Sequence, residues 1–103
     1  MIFPMTETML KQQIKDFLAI KGVFSYALLQ GVASFKGLPD RVIHYRGRVI
    51  YLEFKTPIGR LTHRQQAFQE QCERDNIQYW VIRSVEELEE KLSGQQKRYK
   101  TMV

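Results

Sequence analysis

From Leu10 to Leu18 the apolar residues Leu10, Ile14, Phe17 and Leu18 recur at the three- and four-residue steps of a helix. Thr6 suits the N-cap of that helix and Gly22 ends it. Val23–Gln30 has little alternation and predicts a strand that is apolar, and therefore buried, on both sides. In Arg41–Tyr45 and Arg48–Phe54 the period falls to two, in runs rich in β-branched and aromatic residues. Ile50, Leu52 and Phe54 share one side and predict core; Val49, Tyr51, Glu53 and Lys55 share the other. Helical spacing returns after Thr62, with Ala67, Phe68 and Cys72 as the buried stripe and Asn76 as the stop. Ile77–Arg83 sets Trp80 and Ile82 against Tyr79 and Val81, a fourth strand. Ser84-x-x-Glu87 reads as a capping box opening a short helix with Val85, Leu88 and Leu92 on one face. The order α-β-β-β-α-β-α predicts an α/β fold. A central mixed β-sheet is expected, with the first and middle helices packed on its faces. Residues 1–92 are expected to form a single domain and residues 93–103 a loose basic tail.

The two middle strands can be paired by counting. A two-residue turn at Arg46–Gly47 sets Tyr45 against Arg48, Val42 against Tyr51 and Asp40 against Glu53. Opposed residues share a face, with Cβ atoms roughly 5 Å apart; Lys55 joins that face two residues on. Arg is a poor fit to the positive φ of such a turn, and a four-residue loop, Tyr45–Arg48, keeps the same pairing. A slip of one residue would turn Asp40 to the other face. Two carboxylates so placed repel by about 3 kcal/mol at an effective dielectric near 20. A positive charge between them relieves this. One candidate is a hard divalent cation, which takes one or two carboxylates and keeps positions for water and phosphate; Lys55 is the other. The plain alternative is that Pro39-Asp40 is an ordinary turn dipeptide and Glu53-x-Lys55 a solvated strand edge.

Gly37-x-Pro39-Asp40, then Glu53-Phe54-Lys55, then Gly59-x-Leu61-Thr62-x-x-Gln65, with Glu7 in a leading helix, resemble the VRR-NUC family. These are the virus-type replication-repair nucleases of the PD-(D/E)xK superfamily. The resemblance spans about Thr6 to Leu92. It implies a restriction-endonuclease-like core and a Mg²⁺- or Mn²⁺-dependent endodeoxyribonuclease acting on branched or structured DNA, of the Holliday-junction-resolving type. By the same resemblance Asp40, Glu53 and the Phe54 carbonyl are metal ligands, and Glu7 binds a second ion or a water on the first. Lys55 orients the attacking water or stabilises charge on the phosphate, and Gln65 positions water or Lys55. Stand-alone members are homodimers, which present two sites to a four-way junction. The residues keep other readings open. An acid at Glu7 also complements a helix dipole. Gln65 also completes a capping box with Thr62, a role that competes for the same side chain. His44 reads as a packed strand residue more than as a ligand.

Composition adds partners and exclusions. The chain has 103 residues and a net charge of +5, which suits a polyanion. Candidate phosphate contacts are Lys11, one turn after Glu7; Lys36, in a flexible Gly31–Gly37 loop; and Arg60, His63 and Arg64, at a helix start with free N–H groups. Lys97, Arg98 and Lys100 could join from the tail. Phe35 can stack on a base or simply pack. The four acids Glu86, Glu87, Glu89 and Glu90 are expected to face away from DNA. One cysteine, Cys72, rules out an internal disulfide and fits a reducing cytoplasm; with two histidines it argues against a structural zinc site. No stretch approaches a membrane span or a signal pattern, and no small-molecule cofactor is expected. The rival class is a non-catalytic DNA-binding module on the same fold, against which intact Asp40, Glu53 and Lys55 argue; a protein-interaction module is the third.

Overall fold

The computed structural model describes residues 4–101, with side chains as far as Gly94. Seven elements follow one another: α1 (Glu7–Ile20), β1 (Phe24–Ala27), β2 (Arg41–Tyr45), β3 (Arg48–Phe54), α2 (His63–Arg74), β4 (Gln78–Ile82) and α3 (Val85–Thr101). This is the expected order. The strands lie in one sheet in the order β1-β2-β3-β4. The first three are antiparallel and β4 runs parallel to β3, so the sheet is mixed. A parallel pair needs a crossover, and α2 supplies it.

The hairpin has the expected register, with Tyr45 opposite Arg48 and Val42 opposite Tyr51. Its turn is two residues long, and both adopt left-handed backbone: Arg46 at φ 53° and Gly47 at φ 77°. Arg46 therefore carries a modest strain at the tip. Its guanidinium lies 5.7 Å from the centre of the Tyr45 ring, within reach of a cation–π attraction.

One side of the sheet holds the core. Leu10, Ile14 and Leu18 of α1 meet Leu88 and Leu92 of α3 over Ile43, Ile50, Leu52, Phe54 and Ile82. Each such side chain contributes about 1.5–3 kcal/mol on full burial. The other side belongs to α2, where Phe68 packs edge-on to Tyr51 at 5.2 Å and lies 5.9 Å from Tyr79. The last helix thus shares the main core with the first, while the middle helix covers the opposite face.

Four expectations need correction. The segment Val23–Gln30 does not form a strand buried on both sides. Only Phe24–Ala27 is strand, at the sheet edge, and Phe24 is 61% exposed. Its apolar residues are aromatics that lean on one another and on His44, with Phe24 4.9 Å from the His44 ring. Ala67 is exposed, and the apolar contacts of α2 with the sheet come from Phe68 and Cys72. Glu87 does not close a capping box with Ser84. Ser84 Oγ accepts the Glu87 N–H at 3.1 Å, but the Glu87 carboxylate accepts the N–H of Arg83 at 2.7 Å. Finally, α3 runs on to Thr101 through most of the expected loose tail. Gln, Lys and Arg are good helix formers, so the loss of apolar period there ends the buried stripe and not the helix. The phosphate contacts expected of Lys97, Arg98 and Lys100 fall outside the described side chains.

Candidate active site

Asp40 lies one residue before β2, at the end of the sheet. Its N–H donates to the Leu52 carbonyl at 3.0 Å, and its own carbonyl accepts the Leu28 N–H at 3.1 Å. The chain then leaves the ladder, and the Asp40 side chain continues it: Oδ2 accepts the Phe54 N–H at 2.7 Å. A carboxylate thus stands where the next backbone carbonyl of a longer strand would be. Asp40 Oδ1 meets Lys11 Nζ of α1 at 3.3 Å.

Glu53, on β3, is 1% exposed and is the buried charged residue among the described side chains. Its Oε2 accepts from Gln65 Nε2 at 3.3 Å, while Oε1 has no partner. Burial above all, then Asp40 beside it, pushes its pKa up to about 9; Glu7 adds to the rise and Lys55 opposes it. Glu7 opens α1, just after Thr6, whose hydroxyl accepts the Met9 N–H at 3.1 Å. The cap fixes where the helix starts, and so where Glu7 stands. Carboxylate oxygens of Glu7, Asp40 and Glu53 all lie within 4.8 Å of one another.

Gln65 caps α2 and at the same time contacts Glu53. Its Oε1 accepts the Thr62 N–H at 2.9 Å, its N–H donates to Thr62 Oγ1 at 3.2 Å, and its Nε2 faces Glu53. One amide offers an acceptor at one end and a donor at the other, so capping and carboxylate contact occur together.

Lys55 follows β3 and donates its N–H to the Ile82 carbonyl at 3.1 Å. The loop beyond it is tied down by Arg83, whose Nη1 donates to the carbonyls of Thr56 and Gly59, each at 2.6 Å. Arg83 escaped the sequence reading: a single Arg after a strand carries no pattern. Tyr79 escaped it too. Its hydroxyl is buried without a partner, and burial, followed by the charge of Glu53, pushes its ionisation up. The alternation that sets Val81 opposite Glu53 puts Tyr79 on the same face, two residues away. Cys72 is buried and its thiol is pushed up by burial, as an inert packing residue would be.

The other expected residues lie on the Gly31–Gly37 loop and around the start of α2. The Gly31–Gly37 loop is hydrogen-bonded rather than loose. Gln30 Nε2 donates to Ser34 Oγ and to the Phe35 carbonyl, both at 2.8 Å, and Gln30 Oε1 accepts the Gly37 N–H at 3.3 Å. Gly37 has φ 95°, and a Cβ there would lie 2.4 Å from the Arg64 carbonyl oxygen. Only glycine lets the loop rest on the first turn of α2 in this way. Lys36 is thereby carried towards Arg64, and the Phe35 ring lies 5.8 Å from Phe68. Lys36, Arg60, His63 and Arg64 are all exposed; among the described residues none pairs with the three carboxylates. The Phe54 N–H is taken by Asp40, and a role for its carbonyl belongs to the proposal below.

A solved structure described as a VRR_NUC domain superposes on this one with a TM-score of 0.71, over 84% of this chain and 94% of that one. The chain has the VRR_NUC fold. Sequence identity over the match is 18%, so the likeness is one of fold, and the chemistry has to be argued from side chains. No family model matches the sequence, and neither does any curated protein. Among the described residues no helix is long and apolar enough to cross a membrane.

Proposed function

We propose that this chain is a Mg²⁺- or Mn²⁺-dependent endodeoxyribonuclease that hydrolyses phosphodiester bonds in branched or structured DNA, acting as a homodimer of the Holliday-junction-resolving type. The observation that carries the reading is Glu53: a fully buried acid with one oxygen unpartnered, beside two further carboxylates. A buried carboxyl left half-satisfied costs stability unless something completes it. The donor set is all hard oxygen, which suits Mg²⁺ or Mn²⁺ and not a thiolate-seeking metal. Asp40, Glu53 and the Phe54 carbonyl would hold the ion, with Glu7 serving a second one. When bound, such an ion polarises the scissile phosphate and supplies a stronger nucleophile at neutral pH.

The remaining roles fall to the chain itself. Asp40 is fixed through the Phe54 N–H at Oδ2, which orients Oδ1, the oxygen paired with Lys11, for the ion. Lys55 brings a compact ammonium to the charge that develops on phosphate. Gln65 holds Glu53 in place from α2. Lys11 neutralises Asp40 before substrate arrives and can then turn to phosphate. Lys36, Arg60, His63 and Arg64 would contact the DNA backbone at the start of α2, where free N–H groups favour anions. The free, buried Cys72 suits a reducing compartment, and we place the protein in the cytoplasm.

The test is incubation with labelled linear, flap and four-way DNA, with and without Mg²⁺ or Mn²⁺, and sedimentation of the free protein. Cleavage that needs the ion and prefers a junction, by a dimer, is expected. A protein that binds these DNAs but never cuts them would be a binding module instead.

A further inference from the structure

Beside Asp40 a groove of about 330 Å³ runs between α1 and the segment that follows β1. We propose that it binds one nucleotide unit of the DNA strand, the neighbour of the phosphate held at the carboxylates. This rests on the nuclease reading for the identity of the strand.

The two walls of the groove differ in chemistry. Lys11 and Lys15 line it from α1, Leu28 and Leu29 from the segment after β1, and Asp40 and Arg41 from the start of β2. A volume of this order lies within the usual range of small-ligand pockets, about 300–1,000 Å³. A cationic wall opposite an apolar wall matches a nucleotide, which is anionic on its phosphate side and apolar on its base face. Asp40 is the acid in the lining, so the groove grows more favourable to phosphate with distance from it.

The spacing supports the same occupant. Lys11 contacts Asp40, and Lys15 follows one turn later, about 6 Å further along the helix axis. Two cations one turn apart can meet two successive phosphates of one strand. Arg41 is held by its Nε, which donates to Ser25 Oγ at 2.9 Å, and its terminal nitrogens keep further donors. Leu29 is 84% exposed, yet its neighbour Leu28 is anchored to the Asp40 carbonyl. An apolar side chain presented from an anchored backbone is a platform for a base face, a contact that needs no particular base.

The probe is thymidine 3′,5′-bisphosphate, one nucleoside between two phosphates and without a phosphodiester to cut. It is titrated calorimetrically into the full chain with Mg²⁺ present, and leucine methyl resonances are followed by NMR. The parent should bind it with shifts at Leu28 and Leu29. Lys15→Ala and Leu29→Asp, both at exposed positions, should each weaken binding about tenfold. Arg74→Ala, which removes a like charge from the far end of α2, should bind as the parent does. Equal affinity in all four proteins, or shifts confined to the start of α2, would overturn the groove. DNA cleavage by the same proteins separates the two readings. A parent that binds the bisphosphate at the leucines but cuts no DNA refutes the nuclease reading and leaves the groove standing. A parent that cuts DNA while Lys15→Ala and Leu29→Asp cut it equally well refutes the groove and leaves the nuclease.

Discussion

The two faces of the sheet are built to opposite rules. Under α1 and α3 the packing is aliphatic and aromatic, and the one buried polar atom without a partner among the described side chains there is Gln78 Oε1, on the strand opposite Ile50. Under α2 only Cys72 of the helix is buried, the packing is aromatic and half open, and the polar atoms Glu53 Oε1 and Tyr79 Oη are buried without partners. The first face supplies stability. The second spends some of it to bury Glu53 beside two partly exposed carboxylates. Sites that act on charged substrates need this division, since a group already satisfied by the protein has nothing left for a ligand.

The largest expected effect lies on the open face and on catalysis. Lys55→Ala removes an ammonium and leaves the acids; Asp40→Asn removes a negative charge but keeps an oxygen to accept the Phe54 N–H. Each should lower DNA cleavage about a hundredfold to a thousandfold, as loss of one preorganised charge does, while leaving circular dichroism and DNA affinity near parental values. Added Mn²⁺ should partly restore Asp40→Asn and do nothing for Lys55→Ala. Parental cleavage by purified Lys55→Ala would sink the assignment of this site.

On the closed face the effect is on stability. Leu88→Ala should cost about 3 kcal/mol in urea unfolding, the middle of the range for a buried leucine. Ala67→Ser on exposed α2 should cost less than about 0.5 kcal/mol. Comparable losses at the two positions would erase the contrast between the faces.

The pH dependence of stability comes from the open face. In the folded chain Glu53 keeps its proton up to about 9, whereas the unfolded chain releases it near 4.5. Between those values the folded state binds more protons, so stability falls as pH rises. It is fully present below about 4.5 and is lost on the way to 9. Thermal melts in a chelator should therefore show a Tm that declines from pH 5 to pH 8.5. Glu53→Gln should flatten that decline, and Mg²⁺ should flatten it in the parent.

A subtler effect is expected at Gln65. Gln65→Glu keeps the cap on Thr62 but turns an oxygen towards Glu53 in place of the amide nitrogen. Stability should stay within about 1 kcal/mol of the parent, the scale of a cap, while cleavage drops at least tenfold. Unchanged cleavage would reduce Gln65 to its structural role.

These residues also mark how far the sequence could be read. Strict alternation over Arg48–Phe54 made the hairpin register countable, and with it the approach of Asp40 to Glu53. The spacing Thr62-x-x-Gln65 announced a cap, but not that the other end of the amide would reach Glu53, since that depends on how α2 lies on the sheet. The edge position of β1 was hidden because exposed aromatics that pack on each other look, in sequence, like a buried strand. The Arg83 clamp joins residues 24 and 27 positions apart, and no local pattern carries such a contact.

The smallest effect belongs to the rim. Arg60→Ala and Arg64→Ala should each weaken DNA binding a few-fold, equally for all sequences, and each should reduce the salt slope by about one unit. Binding as tight as the parent's in both would remove the start of α2 from the DNA path.

Whether Asp40 and Glu53, with Glu7 beside them, hold a divalent ion is decided by Mn²⁺ titration. Calorimetry at pH 7.5 in two buffers of different ionisation enthalpy gives both affinity and protons released. A ligand that must lose its proton to bind metal makes binding proton-coupled. Saturable Mn²⁺ binding with release of about one proton is expected, with loss of both in Glu53→Gln. Absence of binding by the parent, or binding that survives Glu53→Gln with the same proton count, would contradict a cation site there.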